Sequence, residues 1–226
     1  MKIGILTSSR ADYGIYKPLL SRLSIDDRFE LFIIAFGMHL QSQHGNTIEV
    51  VKKDNYGYIH KVSGMPIKDS PLDIVKGYGQ LIHEFANYWN KNKFDYVLAL
   101  GDRFEMNSAV QAGIPFGVRF VHLHGGETTL GAIDNVYRHQ ITLASKIHFV
   151  SRQEFVERVK NIIGSSKNIF NVGALSLDGI EELNYPNWDE VRAKFNIPDR
   201  PFILVTFHPE TIEVEKNKTY SEIIYD

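Results

Sequence analysis

The residues of this chain that can do chemistry crowd into one stretch. Between Gly101 and His139 fall the acids Asp102, Glu127 and Asp134, the base Arg138 and the histidines His122, His124 and His139. Asp102 follows the apolar run Tyr96–Leu100, and Glu127 follows a second apolar run that ends at Leu123. Carboxyl groups held in different surroundings can act as general acid and general base around one substrate ring. Such groups are poor core material, because burying a charge unpaired is costly. A second cluster lies near the start of the chain. The turn Ser8-Ser9-Arg10-Ala11-Asp12-Tyr13-Gly14 follows the first apolar run. Such a turn can cradle an anion on backbone N–H groups, with Arg10 as a bidentate partner. It lacks the G-x-G-x-x-G pattern, so a dinucleotide is a weak reading.

Most of these residues also have a plain structural reading. Asp102 is placed to cap a helix over Phe104–Gly113, and Asp134 to cap the helix that carries Arg138. Arg138 can simply orient the acids through a salt bridge, His139 can be a packed helix residue, and Arg10 a surface arginine. Glu127 has no such alternative, since Thr128–Ile133 does not read as helix. His122 and His124, two apart on a strand, are expected on one face. A strand-borne His-x-His pair can begin a metal site. That opens a rival reading, a metal-dependent hydrolase or deacetylase drawing further ligands from Glu127, Asp134 or His208. No i, i+4 histidine pair supports it.

These side chains need a scaffold. Near-continuous apolar runs at Lys2–Ser9, Phe29–Phe36, Tyr58–Val62, Tyr96–Leu100, Phe120–Leu123, Ile147–Val150 and Ile169–Val172 read as strands buried on both faces. Helical patterns separate them: Pro18–Leu23, Thr47–Lys53, a long helix from Ser70 to about Asn90, Phe104–Gly113, Asp134 to about Lys146, and Arg152–Ile163. Ser70 is the expected N-cap of the long helix, with Pro71 at its first position. Its expected buried side is Leu72, Val75, Leu81, Ile82, Phe85 and Trp89. Gly164 is a natural helix stop. The alternation predicts an α/β fold with a doubly wound, parallel, Rossmann-like sheet and a site at the carboxyl ends of its strands. Residues 1–174 read as that domain. Residues 175–226 read as a linker, a short helix Trp188–Phe195, and a new buried strand Phe202–Phe207 ending at His208, the opening of a second domain.

Composition bounds the function classes. The chain has 226 residues, 43% hydrophobic and 23% charged, as in ordinary globular proteins. A formal net charge of -2 gives no pull toward nucleic acid or an anionic membrane. No cysteine is present, which removes disulfides and cysteine-based zinc sites. The apolar run at Met1–Leu6 is too short for a signal peptide or a spanning helix, so a cytoplasmic protein is expected.

Four motifs carry a family resemblance: Ser9-Arg10-Ala11-Asp12-Tyr13-Gly14, Gly101-Asp102-Arg103-Phe104-Glu105, His124-Gly125-Gly126-Glu127-Thr128, and Gly131-Ala132-Ile133-Asp134-Asn135-Val136-Tyr137-Arg138-His139. In this order the chain resembles the hydrolysing UDP-N-acetylglucosamine 2-epimerases from residue 1 to about residue 212. The branch it is most similar to makes N-acetylmannosamine or a diacetamido analogue for sialic- or legionaminic-type sugars. The resemblance implies two Rossmann-like domains facing across a cleft, the glycosyltransferase-B arrangement, with this chain holding the first and only the start of the second. It implies catalytic roles for Asp102, Glu127, Asp134 and His208, and substrate-binding roles for Arg10, Arg138 and His139. The family's first-turn lysine has no clean counterpart: Ile15 stands at its place and Lys17 lies two residues on. The resemblance further implies a UDP-N-acetylglucosamine-type substrate, no metal or other cofactor, no nucleic-acid or membrane partner, and a homodimer or higher homo-oligomer. The rival classes are a nucleotide-sugar glycosyltransferase of the same fold, the metal hydrolase, and a sugar-nucleotide binding fragment without catalysis.

Overall fold

The computed structural model describes residues 1–64, 70–182, 184–210 and 212–225, and for His44 and Glu182 the backbone alone. The chain forms two compact units: Met1–Thr129 with Asp134–Asp178, and Leu130–Ile133 with Gly179–Asp226.

The first unit runs β1 (Lys2–Thr7), α1 (Arg10–Ser24), β2 (Glu30–Ala35), α2 (Ile48–Asp54), β3 (Tyr58–Lys61), α3 (Pro71–Lys91), β4 (Tyr96–Leu100), α4 (Phe104–Gly113), β5 (Phe120–Leu123), α5 (Asp134–Ala144), β6 (Ser145–Val150), α6 (Gln153–Ile163) and β7 (Ile169–Asn171). The strands form one sheet in the order β3-β2-β1-β4-β5-β6-β7. Every neighbouring pair is parallel. The chain winds outward from β1 to β3, returns, and winds outward again from β4 to β7. The doubly wound α/β sheet expected from the alternation is therefore present, with its switch point between β1 and β4.

Alternation along β1 explains why its residues are nearly all apolar. Ile3 and Ile5 pack on one face with Tyr13, Tyr16 and Leu20 of α1. Leu6 packs on the other with Leu81, Phe85 and Trp89 of α3. Leu81 and Phe85 are fully buried, worth about 1.5–3 kcal/mol each. Ser70 caps α3 as expected, its hydroxyl accepting from the Asp73 amide at 3.2 Å. The expected buried side of α3 needs correcting at its start, because Leu72 and Val75 are 63% and 68% exposed. At 3.6 residues per turn they lie ~180° and ~120° around the helix from Leu81. The row that meets the sheet is Gly77, Leu81, Phe85 and Trp89, spaced four apart. The helix expected to reach Lys146 stops at Ala144, because Ser145 already pairs with Phe120 across an irregularity in the β5–β6 ladder.

The second unit holds α7 (Trp188–Phe195) and α8 (Asn217–Tyr225). A reciprocal cap starts α7: Asn187 accepts from the Glu190 amide at 2.9 Å, and Glu190 accepts from the Asn187 amide at 3.2 Å. The expected strand Phe202–Phe207 does not form. Ile203 and Leu204 are 88% and 84% exposed. An apolar run becomes a strand only beside another strand that completes its hydrogen bonds. Among the described residues of this unit there is none. No described helix is long and apolar enough to cross a membrane.

Candidate functional site

The carboxyl ends of β1, β4, β5 and β6 lie side by side in the sheet. The chain turns sharply off two of them. Gly101 after β4 and His124 after β5 have φ of +80° and +62°. Both still extend the ladder by one rung: the Gly101 amide donates to Leu123 O at 3.1 Å, and the His124 amide to Phe149 O at 2.9 Å. The residues after these turns, Asp102 and Glu127, are thus aimed across the top of the sheet.

Arg138, one turn into α5 and only 5% exposed, meets them there. Its Nη2 donates to Asp102 Oδ2. Its Nη1 donates to His124 O at 2.9 Å and faces Glu127 Oε2 at 3.4 Å. Glu127 Oε1 accepts from His124 Nδ1 and from Ser151 Oγ, each at 2.7 Å. Asp134, in the first turn of α5, lies close enough for its charge to act on Asp102 and Arg103. Asp102 is not the helix cap its position allowed. Arg103 takes the N-cap place of α4, and the Asp102 carboxylate goes to Arg138 instead.

The two carboxylates sit in unlike surroundings. Burial pushes the Asp102 pKa up; Arg138 and Arg103 pull against this, and Asp134 and Glu127 add to it, leaving it above the usual carboxylate value. Burial also pushes Glu127 up, but the hydrogen bonds from His124 and Ser151, with the charges of His124 and Arg138, outweigh it and hold Glu127 below its ordinary value. Two neighbouring carboxyls with opposed proton preferences are what an acid–base pair requires.

Other expected site residues make none of these hydrogen bonds. Arg10 is the exposed first residue of α1 and makes no hydrogen bond or ion pair among the described residues. The anion cradle expected around it is already filled from within. The amides of Ser8 and Ser9 donate to the Asp12 carboxylate at 2.8 and 3.0 Å, and Thr7 Oγ1 adds a third bond at 2.8 Å. Lys17 pairs with Asp54 at 2.8 Å. His139 is half-buried with Nδ1 unpartnered among the described residues. Burial, with Arg138 and Arg158 nearby, lowers its pKa. His208 lies exposed in the second unit.

The expectation that His122 and His124 share a face as metal ligands fails on geometry. The left-handed backbone at His124 breaks the strand alternation. His122 is fully buried, its Nε2 bonded to Gly101 O at 2.9 Å and its Nδ1 to Thr142 Oγ1 at 3.0 Å. Burial lowers its pKa to about 3, so the ring is neutral. A carbonyl only accepts, so the single N–H sits on Nε2 and Nδ1 is left as an acceptor against the Thr142 hydroxyl, whose one proton is shared with Arg138 O, also at 3.0 Å. Both nitrogens are thereby committed. Among the described residues no three His, Asp or Glu side chains are grouped as metal ligands.

Sequence reasoning passed over three participants. Asp12 was legible, since Ser9-x-x-Asp12 is a capping-box spacing. Glu105 is fully buried against Arg103, with Nη2 and Oε1 2.7 Å apart. Its place in the Gly101–Glu105 run was the available signal. Ser151 had none: a serine after a strand is ordinary until its partner is known. A separate cavity of about 500 Å³ is apolar, lined by Ile3, Leu19, Leu98, Val121, Leu123 and Phe149, and holds none of the clustered charges.

Comparison with known proteins shows the family. A family model described as UDP-N-acetylglucosamine 2-epimerase matches residues 21–224. The polysialic acid biosynthesis protein P7 of Escherichia coli is 33% identical over 214 residues, covering 95% of this chain and 55% of that protein. The UDP-N,N'-diacetylbacillosamine 2-epimerase (hydrolyzing) of Legionella pneumophila is 33% identical over 218 residues, 96% of this chain and 58% of that protein. The crystal structure of UDP-GlcNAc 2-epimerase from Neisseria meningitidis bound to UDP-GlcNAc superposes with a TM-score of 0.70 at 15% identity, covering 87% of this chain and 53% of that one. That structural likeness speaks for the fold. The chain thus spans a little over half the length of these relatives.

Proposed function

The chain belongs to the UDP-N-acetylglucosamine 2-epimerase family, and on that premise we propose that it carries the acid–base site of a hydrolysing 2-epimerase. The substrate is UDP-N-acetylglucosamine or its 4-acetamido relative. A base takes the C2 proton of the sugar, and UDP leaves C1 by anti elimination, which gives a 2-acetamidoglucal. Water then adds to the glycal with the opposite configuration at C2. UDP and a free 2-epimer such as N-acetylmannosamine are released. The steps are redox-neutral, and the residues assigned below are acids, bases and anion binders.

The observation that carries this reading is the Asp102–Arg138–Glu127 bridge, with its two carboxyls held toward opposite protonation states. Glu127, kept ionised, is the base. Asp102, which holds a proton more readily, is the acid, and Asp134 is the third carboxyl of the set. Arg138 fixes the geometry of the pair. Arg10 and His208 are assigned to the departing diphosphate, where cations stabilise developing charge, and His139 to the sugar. The names of the Legionella and Neisseria relatives support the substrate class. A cytoplasmic homodimer or higher homo-oligomer is part of the same reading.

Residues 1–174 form the catalytic domain in this proposal, and 175–226 lead into a nucleotide-binding one. The 214 aligned residues correspond to only 55% of the Escherichia coli relative. By itself the chain is expected to turn over poorly, since a ~1 Å misplacement already costs ~100-fold. Titration of UDP into the chain checks this: micromolar binding with measurable turnover would contradict it. The reaction is tested by joining the chain to the C-terminal part of the Legionella relative. In D2O that polypeptide should yield UDP and the 2-epimer with deuterium at C2. Glu127→Gln and Asp102→Asn should each lower turnover by about a hundredfold or more. Product without deuterium excludes proton abstraction, and transfer to an added acceptor would indicate a glycosyltransferase.

A further inference from the structure

Glu127 follows two glycines, Gly125 and Gly126, the second with φ of +79°. A carboxylate on such a loop has little intrinsic reason to hold one orientation. It is nevertheless gripped at one oxygen. Ser151 Oγ and His124 Nδ1 both donate to Oε1 at 2.7 Å. Each donor is anchored by strand backbone. The His124 amide bonds to Phe149 O of β6, and Ser151 follows Val150, whose carbonyl accepts from Val172 at 3.0 Å.

Among the described residues the other oxygen, Oε2, meets only Arg138 Nη1, at 3.4 Å, beyond the usual N–H···O range. That same Nη1 already donates to His124 O at 2.9 Å. With about two lone-pair sites per carboxylate oxygen, Oε1 is full and Oε2 is open.

We propose that Ser151 and His124 are positioning residues for Glu127, clamping Oε1 so that Oε2 is the oxygen presented for proton transfer. This rests on the reading above only in taking Glu127 as the proton-exchanging group. Because an ionised carboxylate only accepts, His124 carries its proton on Nδ1. The left-handed backbone at His124 is what turns its ring toward Glu127.

The direction of the Glu127 pKa agrees: burial raises it, and the His124 and Ser151 bonds bring it down below the ordinary value. The ionisable groups around it are His124 and Arg138, with Asp102 across the arginine. His122 behind is kept neutral by burial, and Arg158 of α6 is held on Gly126 O at 2.7 Å.

The test is a titration of the 226-residue chain carrying glutamate labelled with carbon-13 at the side-chain carboxyl. Glu127 is assigned by the signal lost in Glu127→Gln. Its midpoint is expected below the ordinary glutamate value. Ser151→Ala and His124→Gly should each raise it by about one pH unit, as loss of a hydrogen bond to a charged group implies. Glycine adopts the left-handed backbone freely and carries no donor in place of the imidazole. Ser151→Thr restores the hydroxyl and should restore the midpoint, with the near-ultraviolet circular dichroism of all variants unchanged. A midpoint unmoved in either Ser151→Ala or His124→Gly overturns the joint clamp. So does a Ser151→Thr variant that titrates like alanine, or a Ser151→Ala shift that appears only with a changed dichroism spectrum. The titration needs no substrate, so it can fail while the deuterium experiment succeeds, and the reverse.

Discussion

Replacing Arg138 with methionine tests the centre of the site most directly. The arginine side chain is 6% exposed, and its partners Asp102 and Glu127 are 22% and 28% exposed. Methionine fills similar space without charge, so two neighbouring carboxylates lose their shared cation. Breaking a buried ion pair from one side costs about 3–5 kcal/mol. Partial exposure of both acids puts the expected loss at the lower end, about 3 kcal/mol. For a chain of this size that is roughly 6–12 °C in melting temperature.

The loss should depend on pH with a definite sign. Asp102 already binds its proton more tightly folded than unfolded, and without Arg138 it does so more strongly. A raised carboxyl favours the folded state at low pH, and that advantage is lost as pH rises through the folded value. The penalty of Arg138→Met is therefore smallest near pH 4 and complete above about pH 7. Urea unfolding at pH 4.5 and pH 8 measures both. Adding Asp102→Asn should recover on the order of half the loss at pH 8, because one carboxylate then remains unpaired. A penalty below about 1 kcal/mol at pH 8, or one equal at the two pH values, would refute the reasoning.

Three further outcomes are expected. Gly126→Ala should destabilise by more than about 1 kcal/mol in urea unfolding, because its Cβ would lie 2.8 Å from Phe155 O at a backbone φ of +79°. Burial lowers the pKa of His148 to about 4, so it contributes stability above pH 6.5 that is lost as pH falls toward 4. His148→Leu, which also removes an Nδ1 without a partner among the described residues, should make the chain about 2 kcal/mol more stable than the parent at pH 5. Hydrogen exchange should be near the unprotected rate at Ile203–Phe207 and slow in β1 and β4, since only the latter have ladder partners.

What the sequence determined by itself was local. The seven apolar runs became seven strands because alternation and helical periodicity are properties of contiguous residues. Ser70 and Pro71 start α3, and Gly164, at φ +67°, follows α6, because caps are chosen by side chains within a turn of the helix end. Even the acids were legible as site candidates, since Asp102 and Glu127 stand just beyond strands. Tertiary structure alone decided which groups meet. Arg138 and Asp102 are 36 residues apart, and Ser151 and Glu127 are 24 apart. Only the strand order β1-β4-β5-β6 brings those loops together. The same distinction separates His122, locked on Gly101 O and Thr142, from His124, free to turn onto Glu127: their sequence spacing is that of equals. It also explains Phe202–Phe207, as apolar as β1, which remains irregular because a strand's hydrogen bonds belong to its neighbours rather than to itself.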